Sequence, residues 1–321
     1  MSKFKCRVCE NESGNEYISI RETLLGLSEE FPYYKCSNCG TIQIEKFPEN
    51  MEKYYPKSYY QNQSFYSSNL FNKIITKYVA KKSFSGEGLI FKLLWYFERI
   101  FYDIYSVKKA SVVSNSRILD VGCGTGITIM NLRDIGFKNV FGIDPFLKQD
   151  KIGVSGEIRK LDIYSLKKNE LYDLIMLHHS FEHMAEPIRT LTAAKNHLSD
   201  NGIILIRIPI ICDYAFEKYG SNWALLDAPR HLYTYSMQGI ENIFKKAGLK
   251  IIDKYYDSDS GQFTGSEKCL KNVPRLKQYK YVYFSLLKPI FSINFYKYRN
   301  LSLKLNKEGR GGSVVLYLKC I

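Results

Sequence analysis

Four of the eight cysteines stand in two pairs, Cys6-Arg-Val-Cys9 and Cys36-Ser-Asn-Cys39. A two-residue spacer lets both sulfurs of a turn face one tetrahedral ion at about 2.3 Å. The pairs therefore read as the four thiolates of a closed, structural zinc site with no open coordination position. A redox Cys-x-x-Cys would be surrounded by a βαβ pattern, and neither pair is. A second constellation is Ile118-Leu119-Asp120-Val121-Gly122-Cys123-Gly124-Thr125-Gly126, a strand running into a glycine turn that opens a helix. Glycines serve there because backbone must closely approach a charged, nucleotide-like ligand. Asp144 ends the next strand about twenty residues on, where a carboxylate accepts hydrogen bonds from both ribose hydroxyls.

Histidine is the natural proton acceptor near neutral pH, and the chain has five: His178, His179, His183, His197 and His231. Three cluster in His178-His179-Ser180-Phe181-Glu182-His183, directly after an apolar run. His179, Glu182 and His183 form a His-x-x-Glu-His group able to hold a divalent ion if one turn brings all three to one side; a structural role for the group is the stronger reading. Cys123, Cys212, Cys269 and Cys320 have no spacing that suggests more than packing.

The elements that position these groups follow from hydrophobic period. From residue 116 short apolar runs alternate with helical stretches, the signature of βαβ units and a mostly parallel sheet. Expected strands are 117–121, 140–143, 157–160, 174–177, 203–208, 250–256 and 313–319, with helices near 126–135, 186–198 and 236–247. Residues 1–62 read as a small module that needs a metal staple. Residues 63–110 read as a linker of two helices, one through Leu70, Ile74, Ile75 and Tyr78 and one from Leu89 to Tyr105. Residues 111–321 form the main domain, with a helical cap inserted over 258–309.

The net charge is +14, and residues 251–321 hold 13 basic against 5 acidic side chains. An excess concentrated in one segment suggests a local anion- or membrane-facing surface rather than a nucleic-acid groove across the whole protein; a solvated basic face is the equal alternative. The N-terminus lacks the apolar run of a secretory signal and charges interrupt every long apolar stretch, so the expected compartment is the cytoplasm, with peripheral contact at the inner face of the membrane through the basic, aromatic C-terminal segment.

Asp120-Val-Gly-Cys-Gly-Thr-Gly126 resembles motif I of class I S-adenosylmethionine-dependent methyltransferases, and this resemblance, not the spacing, selects that cofactor over NAD. Phe141-Gly-Ile-Asp144, Lys160-Leu-Asp-Ile163 and Tyr172-Asp-Leu-Ile-Met-Leu-His-His179 are similar to the family's later strand ends. The resemblance implies an α/β, Rossmann-like seven-stranded sheet with helices on both faces. It implies that Asp120 and the loop Gly122, Cys123, Gly124 and Gly126 hold the methionine part, Asp144 the ribose, Asp162 and Ile163 the adenine, with His178 beside the reactive methyl. The cysteine pairs, Lys53-Tyr-Tyr-Pro-Lys-Ser-Tyr-Tyr60 and Asp227-Ala-Pro-Arg-His-Leu-Tyr-Thr-Tyr-Ser236 look like zinc-ribbon methyltransferases of bacterial surface-glycan and deoxysugar pathways, hence of polysaccharide biosynthesis.

In methyl transfer the sulfonium is already a good leaving system, so in-line positioning supplies much of the rate. An alcohol acceptor still has to lose a proton, and His179 or His231 is the expected base. Sugar C-methyltransferases of similar build carry Glu-His where this chain has Arg230-His231. Arginine cannot act as a base, which favours O-methylation, with Arg230 and Tyr233 as acceptor contacts. The favoured acceptor is a sugar or glycan intermediate, nucleotide- or lipid-linked. An RNA acceptor is less suited, because the ribbon is nearly neutral and no Asn-Pro-Pro-Tyr-type loop follows the fourth strand. A ribbon interaction protein with a degenerate catalytic fold is the third reading, opposed by the intact Asp120, glycines and Asp144.

Overall fold

The computed structural model describes residues 4–56, 70–98, 101–153, 156–276 and 293–321. Three short strands, β1 (Glu16–Arg21), β2 (Glu30–Lys35) and β3 (Ile42–Ile44), make an antiparallel sheet beside the cysteine knuckles. Helices α1 (Leu70–Ser85), α2 (Gly88–Tyr96) and α3 (Tyr102–Lys109) follow. The expected single helix from Leu89 to Tyr105 is thus two helices. Between them Glu98 takes a left-handed φ of 55°, unfavourable for a side-chain-bearing residue. Its carboxylate compensates by accepting hydrogen bonds from Ser260 N at 2.6 Å and Ser260 Oγ at 2.5 Å, and it pairs with the buried Arg299.

The main sheet begins with β4 (Arg117–Val121), α4 (Ile127–Asp134), β5 (Asn139–Ile143), β6 (Lys151–Gly153) and β7 (Gly156–Arg159). It continues through β8 (Tyr172–His178), α5 (Pro187–Asn196), β9 (Leu198–Pro209), α6 (Asp213–Tyr219), β10 (Tyr233–Thr234), α7 (Met237–Lys246) and β11 (Leu249–Tyr256). It closes with α8 (Gly261–Leu270), α9 (Ile293–Lys307) and β12 (Ser313–Cys320). The strand order is β11-β12-β9-β8-β4-β5-β7-β6. All seven expected strands are present, and the three-residue β6 adds an antiparallel eighth at the edge. β12 also runs antiparallel, between β9 and β11. Leu174–Leu177 are fully buried, as expected for a continuous apolar run in a sheet covered on both faces.

The chain leaves β4 toward β5 on one side and later returns to β8 on the other. A crevice opens outside the carboxyl ends of the strands at such a switch point. Helix α7 shows how the sequence sets one flank. Ser236 caps it by accepting the Gly239 N–H at 2.9 Å, Ile240, Ile243 and Phe244 face inward, and Lys245 and Lys246 end it against the helix dipole.

The cysteine module is not free-standing. β10, from the far side of the chain, adds to its sheet by pairing with β3, Tyr233 opposite Gln43 and Thr234 opposite Ile42. Tyr33 Oη donates to the His231 carbonyl at 2.9 Å. The expected boundary at residue 62 and the aromatic segment 57–66 lie outside the described residues, as do 277–292 of the expected cap; its described parts, α8 and α9, are helical. Among the described residues no helix is long and apolar enough to cross a membrane.

Candidate functional site

A cleft of about 700 Å³ opens at the carboxyl ends of β4, β5 and β8. The glycine turn forms its floor. Gly126, with φ of 84°, starts α4, and a Cβ there would lie 2.1 Å from Ile158 Cδ1; one on Gly122 would lie 2.5 Å from Ser180 Cβ. Both positions exclude a side chain, on steric grounds and on backbone conformation. Asp144 braces the turn: Oδ2 accepts the Gly124 N–H at 2.9 Å and Oδ1 that of Phe146 at 2.8 Å, leaving further lone pairs for a ligand. Asp162 and Ile163 line the same cleft, as do Cys123 and His178. Burial pushes the Cys123 thiol up, so it is a neutral packing group and not a nucleophile.

Five carboxyl-bearing residues, Asp103, Asp120, Asp144, Asp162 and Glu186, line the cleft. Asp120 is pushed up to about 8 by burial, helped by the neighbouring charges of Asp103 and Asp144. A buried carboxyl whose charged neighbours are themselves carboxylates gains most from a positively charged ligand. S-adenosylmethionine brings both a sulfonium and an ammonium, and the glycine cradle, the strand-end carboxylate and this acidic wall fit it. Asp103, which accepts a hydrogen bond from Thr128, was not identifiable from sequence, because it enters from α3.

The histidines separate into different roles. His178 lines the cleft with both ring nitrogens buried and, among the described residues, without a hydrogen-bond partner. Burial holds it down to about 4, so it is neutral at pH 7. His179, at a left-handed φ of 49°, also lines the cleft, but its Nε2 lies 2.5 Å from Arg207 Nη1. Arginine can only donate, so that lone pair is occupied and the Nδ1 proton faces Glu182 Oε1 at 3.5 Å. Arg207 is itself anchored through Nε to Asp257 Oδ2 at 2.5 Å, which keeps it charged against burial. A lone arginine inside the apolar run 203–208 was the signal for it, and sequence reasoning missed it.

Three expectations for the loop 227–236 need correction. His231 is not among the residues lining the cleft. Its Nδ1 donates to the Leu225 carbonyl at 2.8 Å, and its Nε2 points at Glu182 and Asp227, 3.8 and 3.7 Å away. Arg230 is buried, paired with Asp227, and stands over the Tyr55 ring at 5.9 Å. Tyr233 is fully buried: its hydroxyl donates to the Ala185 carbonyl at 3.1 Å and its ring stacks on Tyr235. The physical reason is common to all three: β10 must join the ribbon sheet, which turns this loop inward. The sequence group His179, Glu182 and His183 is corrected too, since Glu182 and His183 converge with His231 instead.

The four cysteine sulfurs lie within 4.8 Å of one another, with Cys6 Sγ 3.8 Å from Cys39 Sγ and Cys9 Sγ 3.5 Å from Cys36 Sγ. Sulfurs bound at about 2.3 Å to one tetrahedral ion stand roughly 3.8 Å apart, so the knuckles fit zinc.

Residues 96–254 match the family model described as a methyltransferase domain, just under half of the chain. Curated relatives include the ubiquinone biosynthesis O-methyltransferases of Cereibacter sphaeroides, 24% identical over 155 residues, and of Dinoroseobacter shibae, 26% identical over 165. These alignments cover 43% and 46% of this chain, and 62% and 65% of the relatives. The chain thus spans less than two thirds of the length of the curated relatives it matches. Among solved structures it is similar to the cyclopropane synthase MmaA2 from Mycobacterium tuberculosis, at 15% identity and a TM-score of 0.45, covering 67% of this chain and 82% of that one. It is also similar to an O-methyltransferase of a Brevibacillus brevis multienzyme in complex with S-adenosyl-L-homocysteine, at 16% identity and a TM-score of 0.42, covering 68% and 71%.

Proposed function

We propose that the protein is an S-adenosylmethionine-dependent methyltransferase that methylates a hydroxyl group of a sugar or glycan intermediate. The observation that carries the donor assignment is the glycine cradle with Asp144 locked to Gly124 N–H, opening on a cleft lined by several carboxyl groups. In this reading Asp144 holds the ribose, Asp162 and Ile163 the adenine, and Asp120 with the Gly122–Gly126 turn the methionine part. When bound, S-adenosylmethionine supplies an electrophilic methyl group. The chain's own contribution is alignment and proton handling. His178, neutral at the end of β8, contributes its ring to the cleft wall with both nitrogens buried; His179, tied to Arg207 but 47% exposed, is the cleft histidine an acceptor can reach. Arg207, His178 and the aromatic rings of Tyr55 and Phe101 line the same cleft and are candidate contacts for the acceptor.

The sugar acceptor rests on the sequence resemblance of the ribbon and of residues 227–236, while the curated relatives named above favour O-methyl transfer as the reaction class. Zinc at Cys6, Cys9, Cys36 and Cys39 is the structural cofactor of this reading, supported by their sulfur separations.

Calorimetric titration with S-adenosylmethionine, on wild type and Asp144→Ala, tests the donor site. Micromolar binding to wild type and at least a roughly tenfold loss in the variant is expected, from removal of a charge-assisted contact of about 1.5–3 kcal/mol. A folded, zinc-loaded wild type that binds no donor would overturn the assignment. With binding in hand, transfer of radiolabelled methyl to nucleotide sugars tests the acceptor class.

A further inference from the structure

Glu182 is 0% exposed, and neither of its carboxylate oxygens has a hydrogen-bond partner among the described residues. An ionised carboxylate buried in this way costs several kcal/mol unless a cation compensates it. Three imidazoles surround it. Two of them, His183 and His231, have one nitrogen fixed by a backbone carbonyl: His183 Nδ1 donates to Arg230 O at 2.7 Å, and His231 Nδ1 donates to Leu225 O at 2.8 Å. A carbonyl can only accept, so in both neutral rings Nδ1 carries the proton and Nε2 keeps its lone pair. Fixing the tautomer through the far nitrogen is how proteins present an imidazole to a metal.

We propose that Glu182, His183 and His231 form a second metal site at the rim of the cleft, for a first-row transition dication such as Mn2+, Fe2+, Co2+ or Zn2+ in preference to Mg2+ or Ca2+. One ligand atom from each residue lies within 4.8 Å of the others, and atoms bound to one ion at about 2.0–2.2 Å are up to roughly 4 Å apart, so small side-chain adjustments close the site. Two imidazole nitrogens and one carboxylate select a transition ion, because magnesium demands oxygen donors. Asp227 is not the fourth ligand. It stands 3.7 Å from His231 Nε2 but is claimed by the guanidinium groups of Arg230 and Arg275. Three protein ligands leave coordination positions open, and His183 alone of the three lines the cleft. The Leu232 N–H donates to Glu182 O at 3.0 Å, which holds the two ligand loops in register. The site does not depend on the identity of the methyl donor.

The full-length protein, with zinc already in the cysteine site, is titrated with Mn2+ and the loss of the free-ion electron paramagnetic resonance signal is followed. One Mn2+ per chain is expected, retained against a tenfold excess of Mg2+, with affinity reduced at least about tenfold by Glu182→Gln and by His231→Gln. No bound Mn2+ in the wild type, equal competition by Mg2+, or wild-type affinity in both variants overturns the site or its selectivity. Loss of binding in His179→Ala with full binding in His231→Gln overturns the ligand set. Should the variants not fold, Co2+ added to wild type decides: a visible spectrum of nitrogen and oxygen ligands, without new sulfur-to-metal charge transfer, is expected, and its absence rejects the proposal.

Discussion

Asp120 is the residue whose ionisation is most at odds with its surroundings. Its carboxyl is pushed up to about 8 in the fold by burial, while in an unfolded chain it titrates near 3.9. Its protonated form therefore contributes to stability below about pH 4, and that contribution is lost as the pH rises through about 8. A cationic ligand reverses the preference, since it pairs with the carboxylate. Donor binding below pH 8 should then release a proton, and affinity should tighten by up to about tenfold per pH unit toward pH 8 before levelling. Calorimetry in buffers of different ionisation enthalpy measures that proton. Asp120→Asn should abolish the release, and a wild type that releases none would mean that Asp120 does not meet the donor's charge. His178 makes a complementary case: it lies in a stretch of sequence shared with His179, yet only the fold shows that its nitrogens are buried while those of His179 meet Arg207 and Glu182.

At the scale of elements, the break between α2 and α3 is held by one carboxylate. Glu98 receives two hydrogen bonds from Ser260 and faces Arg299, which is 1% exposed. Burial pushes the Glu98 carboxyl up to about 7, so at neutral pH it is only partly ionised, and Arg299 keeps the Tyr96 and Trp95 carbonyls as acceptors. Glu98→Ala should therefore lose about 1–3 kcal/mol in urea unfolding at neutral pH, from the two hydrogen bonds to Ser260. A loss under 1 kcal/mol would show that α2 and α3 are positioned by apolar packing alone. The consequence for function is indirect but specific, because α3 brings Asp103 to the wall of the cleft. Helix periodicity gave both linker segments, whereas the break inside the second depends on Ser260 and Arg299, which are distant in sequence.

Among the described residues the cysteine module and the domain of the main sheet share a sheet. β10 pairs with β3, Tyr33 bonds the His231 carbonyl, and Lys246 Nζ bonds the Val8 carbonyl at 3.2 Å. If the four thiolates hold zinc, as proposed, its binding is coupled to folding of the knuckles, and stripping it should be felt at the loop carrying His231. We expect Cys9→Ser, or chelation of the wild type, to lower the midpoint of a single calorimetric transition. Two transitions, only the first sensitive to chelator, would identify the ribbon as an independent domain.

Much of this architecture is written locally. Cysteine spacing, the glycine turn after an apolar strand, and the alternation of short apolar runs with helical stretches each depend on residues within a few positions of one another, so the metal knuckles, the cradle and the seven main strands are legible without coordinates. Which histidine faces the cleft, which arginine reaches it, and the inward turn of Arg230 and Tyr233 depend on strand register and on β10 crossing to the ribbon. Those are long-range pairings, and no short-range pattern encodes them; the gathering of Glu182, His183 and His231 around one point belongs to the same class, set by tertiary structure alone.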